Sequence, residues 1–331
     1  MAHNSYPLVT IAIPTYNRAG SYLGYALASA LKQTYQNLEI IVSDNCSTDN
    51  TEQLVKRFND PRIRYFKHHK NIGADPNWNF CLRQARGVYF LLLQDDELVD
   101  DDFVAVCMKA ANYSTNVGII RTGTRDIDAN GRVLREVENI AGGLSVDKFI
   151  FAFLSCKLNM YLCGSLLNTG HLKTISGSAC QWTGTKYRHW EDVYVEIQLA
   201  VKFGRVDVRD IKASYRKHPS QLTFAVSIRE WLTDSSLFLD SICDLVPNNR
   251  TLVRNTGIEF FAKHNYYIAS EVRSPAKRLL ANLLVFRSFK VFKTRPYRKA
   301  VRYIYAIVAR TPLYSPLRFI KVNLQKMWAR S

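Results

Sequence analysis

Val88-Tyr-Phe-Leu-Leu-Leu-Gln-Asp-Asp-Glu-Leu-Val-Asp-Asp-Asp102 is the stretch that decides the fold. Its first six residues are apolar and bounded by polar sequence, the mark of a short strand buried on both faces. Asp95, Asp96 and Glu97 follow at once. Carboxylates crowded at the end of a buried strand are costly unless a cation compensates them. Oxygen donors of this kind suit a hard divalent ion such as Mg²⁺ or Mn²⁺, which completes its shell with phosphates and water. The competing reading is a solvated acidic turn that opens the next helix. Asp100, Asp101 and Asp102 suit that reading, because acids favour a helix N-terminus.

Outward from this stretch, the chain alternates. Strands are expected at 8–13, 38–42, 62–66, 88–93 and 117–121, with helices at 19–33, 50–58, 76–86 and 100–112 between them. Pro14 ends the first strand, and Ser47, Thr48 and Asp49 are candidate N-caps for the second helix. Such β-α-β alternation argues a parallel sheet with helices on both faces. The pattern then changes. Asn130-Gly131 signals a hairpin. A helix is expected at 145–156, a strand at 159–168, a loop at 174–187, a helix from Glu191 to a C-capping Gly204, and a strand pair at 205–215. From about 226 the chain reads as mostly helical. The expected division is 1–225, with halves 7–122 and 123–225, followed by a basic helical extension at 226–331.

Charge divides the chain at the same place. The net charge is +17, yet residues 272–331 hold 15 Lys and Arg and no Asp or Glu. The preceding residues are nearly neutral. Seven scattered cysteines without a CxxC pair indicate neither a zinc site nor a disulfide framework. There is no N-terminal signal and no apolar run near the ~20 residues a membrane span needs. A cytoplasmic location is therefore expected.

The motifs Val9-Thr-Ile-Ala-Ile-Pro-Thr-Tyr-Asn-Arg18, Ser43-Asp-Asn-Cys-Ser-Thr-Asp-Asn-Thr51, Asn71-Ile-Gly73 and Gln94-Asp-Asp-Glu97 occur in order. Together they closely resemble family 2 glycosyltransferases with the GT-A fold, of the kind that builds bacterial O-antigen, capsule and other surface polysaccharides. The resemblance covers roughly 7–225 and is strongest over the first 120 residues. It implies an inverting, metal-dependent hexosyl- or deoxyhexosyltransferase that uses a nucleoside-diphosphate sugar. One departure stands out: the family's usual Asp-x-Asp reads Gln94-Asp95-Asp96.

Under this resemblance, Pro14, Tyr16, Asn17, Arg18, Asp44, Asn71, Gly73, Asp95 and Asp96 face the nucleotide sugar. Asp44, at a strand end, suits a ribose diol or a base imide. Tyr16 either stacks on the base or packs under its loop. Asp96 falls at the metal-reaching position, and His218 is a second metal or phosphate ligand. Arg216 is an alternative phosphate contact through its bidentate fork. Asp192 takes the general-base position, with Glu191 as the fallback; from local sequence alone both acids read as helix-dipole partners. Gly164 falls in a loop beside the acceptor.

Residues 277–331 interleave Leu, Phe, Tyr and Ile with Lys and Arg, as interfacial helices on anionic membranes do. A lipid-linked acceptor and a position on the inner face of the cell membrane are the matching expectations. Nucleic acid is disfavoured, since the body is neutral and carries no recognition motif. A solvated helical cap is the bland alternative. Two other functions compete: a sugar-nucleotide nucleotidylyltransferase, which wants glycines absent from Pro14-Thr-Tyr-Asn-Arg18, and a nonenzymatic nucleotide-sugar binding module.

Overall fold

The computed structural model describes residues 6–177, 181–182, 189–218, 221 and 228–270. The chain divides into two compact units, 1–225 with 234–253, and 226–233 with 254–331. The basic stretch 277–331 lies outside the described residues.

The first unit opens with β1 (Val9–Thr15), α1 (Leu23–Leu31), β2 (Leu38–Asp44), α2 (Thr51–Arg57), β3 (Ile63–Lys67), α3 (Ala74–Gln84) and β4 (Tyr89–Leu92). These four strands lie side by side in the order β3-β2-β1-β4, all parallel. Every residue of β1, β2 and β4 is buried, as strands covered on both faces must be. Leu23, Ala26, Leu27 and Ala30 form the buried stripe of α1 at helical spacing.

β1 continues through Pro14 to Thr15, beyond the end expected from the sequence. The ladder explains why the proline is tolerated. Ala12 O accepts from Leu93 N on the β4 side, whereas Thr15 O accepts from Asn45 N on the β2 side. Even-numbered residues of β1 thus face β4, and pairing with β4 stops at Ala12. Pro14 sits where no ladder donor is needed. The strand order also reverses here, with β2 and β3 on one side of β1 and β4 on the other. Such a switch point opens a crevice at the carboxyl ends of the strands.

The rest of the sheet is mixed. It adds β5 (Leu98–Val99), α4 (Phe103–Ala110), β6 (Ile119–Ile127), β7 (Val133–Val137), α5 (Val146–Leu154), β8 (Ser165–Asn168), α6 (Thr169–Ser176), α7 (Glu191–Phe203) and β9 (Arg205–Arg216). The path continues β4-β8-β6-β9-β5, with β7 paired to β6 as the expected hairpin. β6 and β9 are parallel; β8, β7 and β5 join antiparallel.

Four local expectations change. Residues 205–216 are one strand, not a pair, because β9 runs along β6 across two register shifts. In the span expected as a strand at 159–168, a 3₁₀ turn occupies Leu162–Gly164 and only the last four residues pair. Residues 174–176, expected in a loop, finish α6, which Asn168 caps through its side chain. α4 starts at Phe103, after β5, so Asp100 and Asp102 serve instead as partners of Arg125 and Lys212, each at 2.7 Å.

Helices α8 (Ile228–Asp244) and α9 (Arg250–Ser270) follow. Part of α8 joins the first unit, where Ser235 accepts from Trp190 Nε1 at 3.2 Å and Phe238 stacks on Trp190. In the second unit Trp231 packs against His264, whose burial pushes its pKa down to about 4. Among the described residues no helix is long and apolar enough to cross a membrane.

One contact in the first unit is purely electrostatic. Arg121 on β6 and Glu196 on α7 pair at 3.1 Å with side chains 2% and 1% exposed. Ser165 Oγ donates to Glu196, Arg121 Nη2 donates to Asn159 O, and the guanidinium lies over Phe149. Arg121→Ala would strand a buried carboxylate, so the chain should lose about 3–5 kcal/mol of unfolding free energy in urea titration. A loss under 1 kcal/mol would mean that Glu196 finds another partner.

Candidate functional site

The carboxyl ends of β1, β2 and β4 supply the first part of the site, and their loops are tied to one another. Asp44, fully buried at the end of β2, accepts from Ser47 N at 2.7 Å and from Tyr65 OH at 2.5 Å. Ser47 Oγ in turn accepts from Asn17 N, and Asn17 Oδ1 accepts from Thr48 N. Asn17 holds a left-handed φ of 54°, which asparagine tolerates. Ala19 N donates to Asp49 Oδ2 and Thr51 N to Asp49 Oδ1, so Asp49 joins the two loops and also satisfies the first N–H of α2, although the N-cap position itself is Asn50. Tyr16 lies at the rim, 44% exposed, and Pro14 beneath it is buried.

The third loop is folded by Asn45. Its side chain donates to Asn71 Oδ1 and Gly73 O and accepts from Ile72 N. Gly73, the N-cap of α3, has φ 88° and ψ 166°, a region open essentially to glycine. The sequence marks Asn71 and Gly73; it does not reveal that Asn45, one residue after Asp44, shapes their loop.

The acidic loop closes the crevice between β1 and β4. Thr15 Oγ1 donates to Asp95 Oδ2 at 2.7 Å, and Arg18 Nε lies 3.9 Å from Asp95 Oδ1. Burial, then the Asp96 charge, pushes Asp95 up to about 7. Glu97 accepts from Gln94 N and from the Cys163 thiol. Its carboxyl is pushed well above the usual range by burial first and by Asp96 next, with a smaller contribution from Asp192.

His218 and Arg216 reach this loop from the far end of β9. His218 Nε2 lies 2.7 Å from Asp96 Oδ2, across 122 residues of sequence. Arg216 donates from Nε to the main-chain oxygen of Asp96 at 2.8 Å and from Nη1 to the carbonyls of Asp128 and Ala129. Its donors therefore meet backbone carbonyls, not an open phosphate cradle.

Asp192 stands in the first turn of α7, where Oδ1 accepts from Val193 N at 2.8 Å. Burial, offset by that bond and reinforced by Glu196 and Glu191, pushes it up to about 7. Glu191 is more deeply buried, at 3% exposure. Gly164 ends the 3₁₀ turn, where an added Cβ would lie 2.7 Å from Thr124 Cγ2; the glycine is a packing requirement there. Tyr22, Thr15, Tyr65, Asn45 and Cys163 also shape the site. None stands out in the sequence, because each is an ordinary polar or aromatic residue whose partner is remote.

A divalent ion fits the donor set. Asp96 and His218 offer one hard oxygen and one borderline nitrogen at the same point, inside a carboxylate cluster short of positive charge. Among the described residues no three His, Cys, Asp or Glu side chains form a ready cage. Ions such as Mg²⁺ take one or two protein ligands and leave the remainder of their shell to phosphate and water.

Residues 10–166 match the model of the glycosyl transferase family 2. Chondroitin synthase of Escherichia coli is 33% identical over 130 residues, which are 39% of this chain and 19% of that protein. The chain thus spans about a fifth of that relative's length. The structure of S. aureus TarS 1–349 in complex with UDP-GlcNAc superposes with TM-score 0.60 at 15% identity, covering 85% of this chain and 81% of the other. A mannosyltransferase from Pyrobaculum calidifontis, in complex with GDP-Man and Mn²⁺, superposes with TM-score 0.55 at 17% identity, covering 99% and 89%. Residues 10–166 are thus similar to glycosyltransferase family 2, and the first unit shares the GT-A fold of these neighbours.

Proposed function

We propose that the chain transfers a sugar, with inversion and with a divalent cation, from a nucleoside-diphosphate sugar to a hydroxyl of a glycan acceptor. The observation that carries this reading is the meeting of Asp96 and His218 at 2.7 Å beside the switch-point crevice of a domain similar to family 2. The UDP-GlcNAc and GDP-Man bound by the two structural neighbours support the donor class.

In this mechanism the tied loops after β1, β2 and β3 receive the nucleoside, with Asp44 and Tyr16 at the base and ribose. Asp96 and His218 would hold Mg²⁺ or Mn²⁺, which supplies compensation for the charge that builds on the leaving diphosphate. Asp192 accepts the acceptor's hydroxyl proton as that oxygen bonds to the anomeric carbon. The bond from that carbon to the diphosphate breaks on the opposite face and its electron pair leaves with the phosphate. A nucleotidylyltransferase is disfavoured by the first loop, where Pro14-Thr-Tyr-Asn-Arg18 presents side-chain ties in place of glycines.

Asp96→Ala should abolish transfer while leaving thermal unfolding nearly unchanged, and EDTA should do the same to the wild type. Full transfer in EDTA would refute the metal requirement.

Asp192 must be deprotonated to act as the base, and its pKa is raised to about 7. The rate should therefore be lost below that pH and rise to a plateau above it. Asp192→Asn should lower kcat by about 10²–10⁴-fold and remove this acid limb. Wild-type rates for Asp192→Asn together with a dead Glu191→Gln would move the base by one residue.

The 15 Lys and Arg of residues 272–331, with no Asp or Glu among them, support attachment to an anionic membrane surface, and with it a lipid-linked acceptor in surface polysaccharide assembly. Co-sedimentation with phosphatidylglycerol vesicles should be strong at low salt and fade at about molar salt, where the Debye length is ~3 Å. Absence of binding at low salt would leave these residues as a solvated cap.

A further inference from the structure

Arg216 looks from sequence like a phosphate ligand, but its contacts give it another task. Only 4% of the residue is exposed. Nε donates to Asp96 O, and Nη1 donates to Asp128 O and Ala129 O at 3.1 and 3.3 Å. One guanidinium face lies 4.7 Å from the ring of Tyr22. The same ring packs 5.0 Å from His218. A diphosphate would have to displace these carbonyls before it could take Nε or Nη1.

We propose that Arg216 is a positioning residue: it fixes the main chain of Asp96 so that the Asp96 carboxylate meets His218, with Tyr22 as the surface against which both side chains rest. Asp96 is then held at two points from a single segment, its carbonyl by Arg216 and its carboxylate by His218. That segment is itself pinned, because Lys217 N donates to Ile127 O at 2.7 Å. The guanidinium shape matters. It reaches the acidic loop and the 128–129 turn at the same time, which a point-charge ammonium cannot do. The inference rests on the proposed metal site and adds the element that sets its geometry.

The test separates metal affinity from nucleotide affinity. UDP and GDP are first titrated in EDTA by calorimetry. Mn²⁺ is then titrated at saturating levels of whichever nucleotide binds, followed by the loss of the free Mn²⁺ paramagnetic resonance signal. Arg216→Lys should weaken Mn²⁺ binding by about 10–100-fold, the usual cost of losing a residue that orients a ligand. Its nucleotide affinity in EDTA should match the wild type. Tyr22→Leu should weaken Mn²⁺ binding in the same direction, and Tyr22→Phe, which keeps the ring, should restore it. Should Arg216→Lys fail to fold, the two Tyr22 variants decide alone. Loss of nucleotide affinity in EDTA with unchanged Mn²⁺ affinity would make Arg216 a phosphate ligand and overturn the proposal. Unchanged Mn²⁺ affinity in the folded variants would overturn it as well. If the wild type binds no Mn²⁺ at all, the metal site and this inference fall together.

Discussion

Two residues of backbone pairing hold the proposed centre together. Leu98 and Val99 pair with Ser214 and Ala213, directly after the acidic loop and with Tyr215 alone between them and Arg216. Asp100 N extends the ladder to Lys212 O. Because β9 is also in register with β6 as far as Ile127 and Arg216, the end of β9 cannot slide. His218 is thereby delivered to Asp96. A shift of one residue in the β5–β9 register would turn the side chains of this segment to the opposite face and separate the pair.

The electrostatics give this short pairing its consequence. Asp95 and Glu97 flank Asp96 where burial opposes their own ionisation, and both are raised. In a low-dielectric crevice such repulsion persists unless a cation or a proton arrives. Thr15 and Arg18 offset it only in part at Asp95. The loop is thus built around missing positive charge, while Arg216 spends its own charge on carbonyls. The side proposed for the nucleotide differs: Asp44 accepts from Ser47 N and Tyr65 OH, Ser47 accepts from Asn17 N, and Asn45 donates to Asn71, so its loops are tied to one another.

This difference explains what could be read in the sequence. The parallel half was legible because β1, β2 and β4 are buried strands rich in apolar residues with polar loops at their carboxyl ends, as Leu38 to Asp44 shows. The mixed half was less so. Strand β9 shows no regular alternation of buried and exposed residues and contains Arg205, Asp207, Arg209, Asp210 and Lys212, so its length came from pairing with β6 and not from its own composition. The hairpin at Asn130-Gly131 was legible from turn chemistry. The helix Thr169–Ser176 was not, since its cap, Asn168, lies inside a buried strand. Asp192 and His218 were marked by family resemblance, whereas the carbonyl contacts of Arg216 depend on backbone 120 residues away.

The position of Asp192 raises a question of energetics that packing alone does not answer. Its helix, α7, buries Val193, Val195, Ile197, Leu199 and Ala200. Apolar contacts of that kind stabilise burial at about 1.5–3 kcal/mol for each large side chain, yet they tolerate rotation of the helix. The Arg121–Glu196 pair does not. Glu196 lies one turn after Asp192 and is held from β6 by Arg121 and from β8 by Ser165. A buried ion pair contributes little net stability relative to well-packed apolar residues, because both charges must be desolvated. Its directionality is another matter: two strands fix one face of α7, and the Trp190–Ser235 bond fixes its start. The helix is therefore set in rotation as well as in depth. The carboxylate proposed as the base, one turn away, needs that constraint, because a proton moves only to a carboxylate held within hydrogen-bond reach of the attacking hydroxyl.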